Sequence, residues 1–260
     1  MNEKFNGYLN KVSSLTLHVH EKIISPIIDS KSFSEEPKRF FYSLLFKINN
    51  GLDTVNDLLK GLQSRPHRLD SALLIFRTIL SDVINFHYIL IKSSGNENDL
   101  KDYIQRIYFD HVKYTIGNLN IYKILYKDSE ESIEEKRQSL KKKYPNFYDA
   151  GGIPIVKKLP PISGMMEELG KENKSNTLIE IAFEHYDIFS KYEHVGILTF
   201  DLIHRPFDSK QQPKILNEIT SSISVIIETQ EWLVKFFLDE NHKDLAELRY
   251  LKQNIETTAF

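Results

Sequence analysis

Large apolar residues spaced three and four apart, over long uninterrupted stretches, commit this chain to helices. Leu69, Leu73, Phe76, Leu80, Val83 and Leu90 follow that spacing, as do Ile215, Ile219, Ile223, Ile226, Leu233 and Phe237. A period near 3.6 gathers each set on one face of an α-helix. Ten glycines and nine prolines in 260 residues are too few for a chain of short strands joined by frequent turns, which argues against a β-sandwich. The expected fold is all-α: an antiparallel bundle of about eight helices with mostly short connections.

The spacing predicts a first helix from Lys4 to Ile28, a second from Glu36 to Gly61 with Pro37 in its first turn, and a third from Asp70 to before Ser93. A fourth runs from Asp99 to Tyr126, with Leu100, Ile104, Ile107, Tyr114 and Leu125 expected to face inward. Asp128 and Glu131 read as a capping box for a largely solvated helix, acidic at its start and basic at Lys141, Lys142 and Lys143. Further helices are expected over Ser175–Gly196, Gln212–Leu238 and Lys243–Ile255. Residues 145–164 hold four of the nine prolines and three of the ten glycines. Such a stretch is a lid, a binding loop or a linker. It divides an N-terminal lobe, 1–144, from a C-terminal lobe, 165–260, within one domain.

A formal net charge of −2 gives no overall field toward nucleic acid or an acidic membrane, so any such binding must come from a local patch. The absence of cysteine excludes disulfides, thiolate metal sites and a cysteine nucleophile. His18, His20, Glu21 and Lys22 interrupt the first apolar stretch, unlike a signal peptide, and no run approaches the roughly 18 consecutive apolar residues of a membrane span. A cytoplasmic protein without a membrane partner is expected.

Gly151-Gly152-Ile153-Pro154 lacks the lysine and helix start of a phosphate-binding loop, and no serine-hydrolase elbow, zinc-protease pair or Glu-x-x-His pair occurs. His18 and His20 would point about 200° apart on a helix and cannot share an ion; His185 and Asp187 fail for the same reason. Neither a metal nor another cofactor is expected.

Arg106 and His111 form an Arg-x-x-x-x-His spacing that resembles the motif of HEPN-type helical domains, many of which are metal-independent ribonucleases of bacterial defence and toxin systems. In such a site the arginine holds the scissile phosphate and the histidine moves a proton. The residues themselves also fit a core histidine, in line with Ile107 and Tyr114, beside an ion pair of Arg106 with Asp110.

A second constellation is a pair of polar lines. Arg77, Ser81, Asn85 and Tyr88 recur along one helix, and Tyr186, Ser190 and His194 along another. Unpaired buried polar groups cost about 1–3 kcal/mol each, so each line is expected to satisfy the other. The result is either a structural network or a pocket for a small anion or phosphodiester. Arg77-Thr78-Ile79-Leu80-Ser81, running to Ile84-Asn85-Phe86-His87-Tyr88, resembles the arginine-containing helix of an uncharacterised bacterial all-helical family associated with HEPN-like proteins. Tyr186-x-x-x-Ser190-x-x-x-His194 is similar to its second motif. Where that family commonly has a glutamate four residues after the arginine, this chain has Ser81, followed by Asp82.

Together the lines and the resemblance imply a HEPN-like protein that binds RNA or a nucleotide, with metal-independent RNA cleavage as the associated reaction. Arg77 would anchor the anion, His194 would transfer a proton, and Tyr186 and Ser190 would orient; Arg106 and His111 stand in reserve. Lys141, Lys142, Lys143, Lys157 and Lys158 would meet a phosphate backbone, with Tyr144, Phe147 and Tyr148 stacking on bases. The competing expectation is a non-enzymatic helical interaction protein, homodimeric through the Gln212–Leu238 helix. Whether the protein is an enzyme stays open at this point.

Overall fold

A computed structural model of the chain describes residues 3–29, 36–62, 65, 68–127, 129–150, 152–191 and 212–257. The fold is all-α, as the apolar spacing requires, and the described residues contain no strand, only an isolated bridge between Tyr148 and Pro154. The helices are α1 (Glu3–His18), α2 (Ser25–Asp29), α3 (Glu36–Lys60), α4 (Arg68–Ser93), α5 (Glu97–Tyr126), α6 (Glu130–Lys143), α7 (Ile162–Lys171), α8 (Thr177–Ser190), α9 (Gln212–Val234) and α10 (Lys243–Glu256). The chain forms two compact units, one of residues 1–88 with 168–260 and one of residues 89–167. The Pro- and Gly-containing segment 145–164 therefore lies inside the second unit.

In the first unit, cross-helix bonds fix the helix directions. Asn49 donates to the Thr16 carbonyl and Asn56 to Ser13 Oγ, so rising numbers on α1 meet falling numbers on α3. Lys11 reaches the Asn254 carbonyl while His18 meets that of Asp244, which makes α1 and α10 antiparallel. Gln230 donates to Asn49 Oδ1, and Phe236 stacks on Phe41 at 4.1 Å, which sets α9 antiparallel to α3. Leu9, Val12, Leu15, Ile48, Leu52, Val55, Ile219, Ile223 and Ile226 are sealed from solvent between these helices. Thr16, Asn49, Asn56 and Gln230 are buried with them, and each makes a hydrogen bond to a neighbouring helix, although Asn56 Oδ1 and Gln230 Oε1 are left without a partner.

The first expected helix is broken by a π-helical turn, Val19–Ile24. Pro26 supplies the physical reason. A proline has no N–H to offer and crowds the carbonyl four residues back. The wider turn bonds Ser25 N–H to His20 O instead, and Ser25 Oγ donates to the same oxygen at 3.0 Å.

α4 is long and apolar enough by composition to cross a bilayer. Leu69, Leu73, Phe76, Leu80, Val83 and Ile84 nonetheless lie in the protein core. α9 is buried along Ile215, Ile219, Ile223, Ile226 and Leu233 against α3, α8 and α10, so its apolar face is occupied within the chain.

In the second unit, Asn96 caps α5 by accepting from the Asn98 and Asp99 N–H groups. Ser129 caps α6 by accepting from Ser132 N–H; Asp128, expected in that role, lies outside the described residues. Phe109, Val112 and Phe147 form a small core, with Tyr108, Ile116, Tyr144, Tyr148 and Val156 around it. Tyr114 and Leu125, expected to face inward, are 69% and 66% exposed, because the buried face of α5 runs through Ile104, Phe109, Val112 and Leu119. Backbone hydrogen bonds tie together the two arms of the segment that follows α6: Asp149 N–H donates to Ile153 O, and Ile155 N–H to Phe147 O.

Candidate functional site

α4 and α8 meet through aromatic rings. Phe76 and Phe189 are buried, with centroids 5.7 Å apart. The next residue on each helix is rotated about 100° toward the rim of that contact. Those residues are Arg77 and Ser190, and Arg77 Nε donates to Ser190 Oγ at 3.0 Å. The serine hydroxyl proton is directed to the Tyr186 carbonyl at 2.7 Å, which leaves its lone pair for the arginine. The guanidinium carbon lies 5.4 Å from the Tyr186 ring centroid, within cation–π range. Arg77, Tyr186 and Ser190 are all half-buried.

The two polar lines thus meet at Arg77, Tyr186 and Ser190. Their other members diverge. Tyr88 donates to Glu168 Oε2 at 2.6 Å, a partner on α7 rather than α8. Ser81 and Asn85 are half-buried along α4. His194 lies outside the described residues.

Two histidines that the sequence reading gave no inward-facing role are buried on the same helices, His87 on α4 and His185 on α8. His185 is in the α8 core face with Ile179, Ala182 and Phe189, and its Nε2 is 2.9 Å from Glu218 Oε2 of α9. Burial pushes its pKa below the ordinary histidine value, against the pull of Glu218 and Glu184. The spacing 179, 182, 185, 189 was a readable signal that this imidazole points inward. His87 Nε2 is 3.1 Å from Thr229 Oγ1, whose own proton goes to the Val225 carbonyl. That fixes His87 as the Nε2–H tautomer, and burial pushes its pKa down to about 4.

The reserve pair separates. α5 is continuous, so five residues turn Arg106 and His111 about 140° apart. Arg106 pairs with Asp102 at 2.5 Å, one turn back, and its guanidinium carbon is 4.8 Å from the Tyr103 ring centroid. Asp110, its expected partner, pairs instead with Lys158 at 2.7 Å. His111 is exposed, not a core residue, since the apolar face of α5 lies elsewhere.

Of the lysines expected at a phosphate backbone, Lys142, Lys143 and Lys157 are exposed, and Lys141 lies 5.6 Å from the Tyr148 ring centroid. The aromatic residues beside them are not laid out for bases. Phe147 is buried against Phe109, Tyr144 stacks on Phe147 at 5.7 Å, and Lys143 covers the Tyr144 ring. Among the described residues no three histidine, aspartate or glutamate side chains are grouped to hold a metal ion.

The model of a family of unknown function (DUF5677) matches residues 39–212, well over half of the chain, and the chain belongs to that family. The matched stretch contains Arg77, Tyr186 and Ser190. Neither a curated protein nor a solved structure matches the chain.

Proposed function

We propose that this protein binds the phosphate of RNA or of a nucleotide at the α4–α8 seam, on a HEPN-like helical scaffold. The observation that supports this reading is the Arg77 guanidinium, held at Nε by Ser190 and across its face by Tyr186. A guanidinium fixed in this way loses little freedom when it pairs with a phosphate oxygen, and such charge-assisted pairs are the strong ones. Binding is the part of the reading with a geometric basis. Cleavage additionally requires a proton-transfer group, a role that the sequence motif gives to His194.

Purified protein titrated with labelled single-stranded RNA and with ATP tests the reading. Arg77→Ala should weaken binding about tenfold or more, and Ser190→Ala a few-fold, with unchanged circular dichroism. His194→Ala should abolish any cleavage and leave binding in place. Equal behaviour of all variants, or no binding by the wild type, removes the proposal.

A second reading, a helical interaction module that pairs with another copy, is favoured by a different observation. Tyr114, Ile121, Ile124 and Leu125 are 69%, 51%, 78% and 66% exposed along α5, and a side chain added at Gly117 in their midst would meet nothing within 4 Å. They lie along one face of the helix as a contiguous apolar patch of the kind that marks an interaction surface. Light scattering after size-exclusion chromatography should give a dimer that Ile121→Asp/Leu125→Asp dissociates. A strict monomer at high concentration rules this reading out.

A further inference from the structure

Residues 136–158 carry seven lysines and arginines against one carboxylate, Asp149, in a chain whose formal net charge is −2. That carboxylate is engaged, its Oδ1 accepting from Ile153 N–H at 2.7 Å. The segment turns back on itself at Gly152, whose φ of +76° suits a residue without a Cβ. The Lys141 ammonium lies 3.0 Å from the place a Cβ would occupy there, so the end of α6 reaches across the turn to the residue preceding Ile153.

Alternation along the returning arm decides what faces outward. Val156 packs on the Phe109–Phe147 core, whereas Ile153 and Ile155, of opposite parity, are 63% and 59% exposed. Two bare branched aliphatic side chains follow Gly152, which Lys141 reaches, and precede Lys157, while the neighbouring aromatic rings are occupied in the core or under ammonium groups.

We propose that this face binds an anionic lipid surface peripherally. Ile153 and Ile155 enter the boundary between headgroups and acyl chains, and Lys141, Lys142, Lys143 and Lys157 meet the headgroup anions. A polybasic cluster and a small apolar insertion are each weak anchors and become effective together. A single-stranded nucleic acid would use aromatic platforms, which this face does not offer. The inference is independent of the reading of Arg77.

Sedimentation of the full chain with phosphatidylcholine vesicles, with and without about 30% phosphatidylserine, tests it. The protein should pellet with the anionic vesicles, and less so in high salt. Ile153→Ser/Ile155→Ser and Lys142→Glu/Lys157→Glu change exposed residues only, and each pair should weaken binding about tenfold at unchanged circular dichroism. Ile155→Trp in a Trp232→Phe background should shift its emission to the blue on anionic vesicles alone. No preference for anionic vesicles overturns the proposal, as does binding indifferent to the isoleucine pair. Retention of RNA by these lysines without vesicle binding assigns the face to nucleic acid and overturns it equally.

Discussion

Tyr88 donates its hydroxyl to Glu168 at 2.6 Å, and these are the two residues at which the chain leaves and re-enters its first compact unit. Tyr88 is almost fully buried. Tyr88→Phe removes a hydrogen bond to a charged acceptor, worth about 1–2 kcal/mol. Calorimetry should show Tm lower by about 2–6 °C for a chain of this size.

Gly51 of α3 faces Ile79 of α4: a Cβ there would lie 2.8 Å from Ile79 Cδ1 and 2.9 Å from Cγ1. Alanine is the better helix former by about 1 kcal/mol, yet Ile79 is buried and has little room to retreat. Gly51→Ala should therefore destabilise by about 1–2 kcal/mol in urea unfolding. Ile79→Val, which deletes Cδ1, should recover part of that loss in the double variant, a coupling that additive effects would not produce.

His87 makes stability depend on pH. Its folded pKa of about 4 is below the ordinary 6.5, so between those values the unfolded chain binds the extra proton. Stability from this group is full above about pH 6.5 and falls as pH drops toward 4, by up to about 3 kcal/mol. His185 is shifted the same way by burial and adds to the slope. Urea midpoints of the wild type and His87→Gln at pH 7.5 and pH 4.5 should show a smaller acid loss in the variant.

Glu231 ties α9 to α10. Its carboxylate meets Arg249 at 2.9 Å and Lys252 at 3.0 Å, and Lys252 also pairs with Glu228. Glu231→Gln leaves two cations facing a neutral amide in a nearly buried position and should cost about 2 kcal/mol. Substituting the exposed Glu247 in the same way should stay within about 0.5 kcal/mol, so thermal melts of the two variants discriminate.

The helical period exposed most of the fold because the core residues of α3, α4 and α9 are large and regularly spaced. α7 was not expected: its first turn falls in the 145–164 stretch and the rest in residues to which the spacing assigned no element. Pro160, Pro161 and Gly164 are breakers in a helix interior, but here Pro161 opens the helix, its carbonyl accepting from Met165 N–H at 2.9 Å. α5 misled in the other direction: several of its apolar positions face solvent, so two stripes compete and spacing alone cannot choose the buried one. Of the candidate site, the meeting of Arg77 with Tyr186 and Ser190 was legible from two polar lines that each needed partners. The choice of Glu168 by Tyr88 was not, because it depends on a helix that the prolines concealed.

The interrupted first unit sets an order of events during synthesis. Asn49 must wait 181 residues for Gln230, roughly ten to forty seconds at ribosomal speed. Meanwhile residues 89–167, uninterrupted in the chain, emerge whole and can close on themselves first. The nascent protein thus holds a finished insert between two unfinished ends, with Phe41 packed on Phe86 but lacking its stacking partner until Phe236 arrives, and that interval is when it most needs shielding from aggregation.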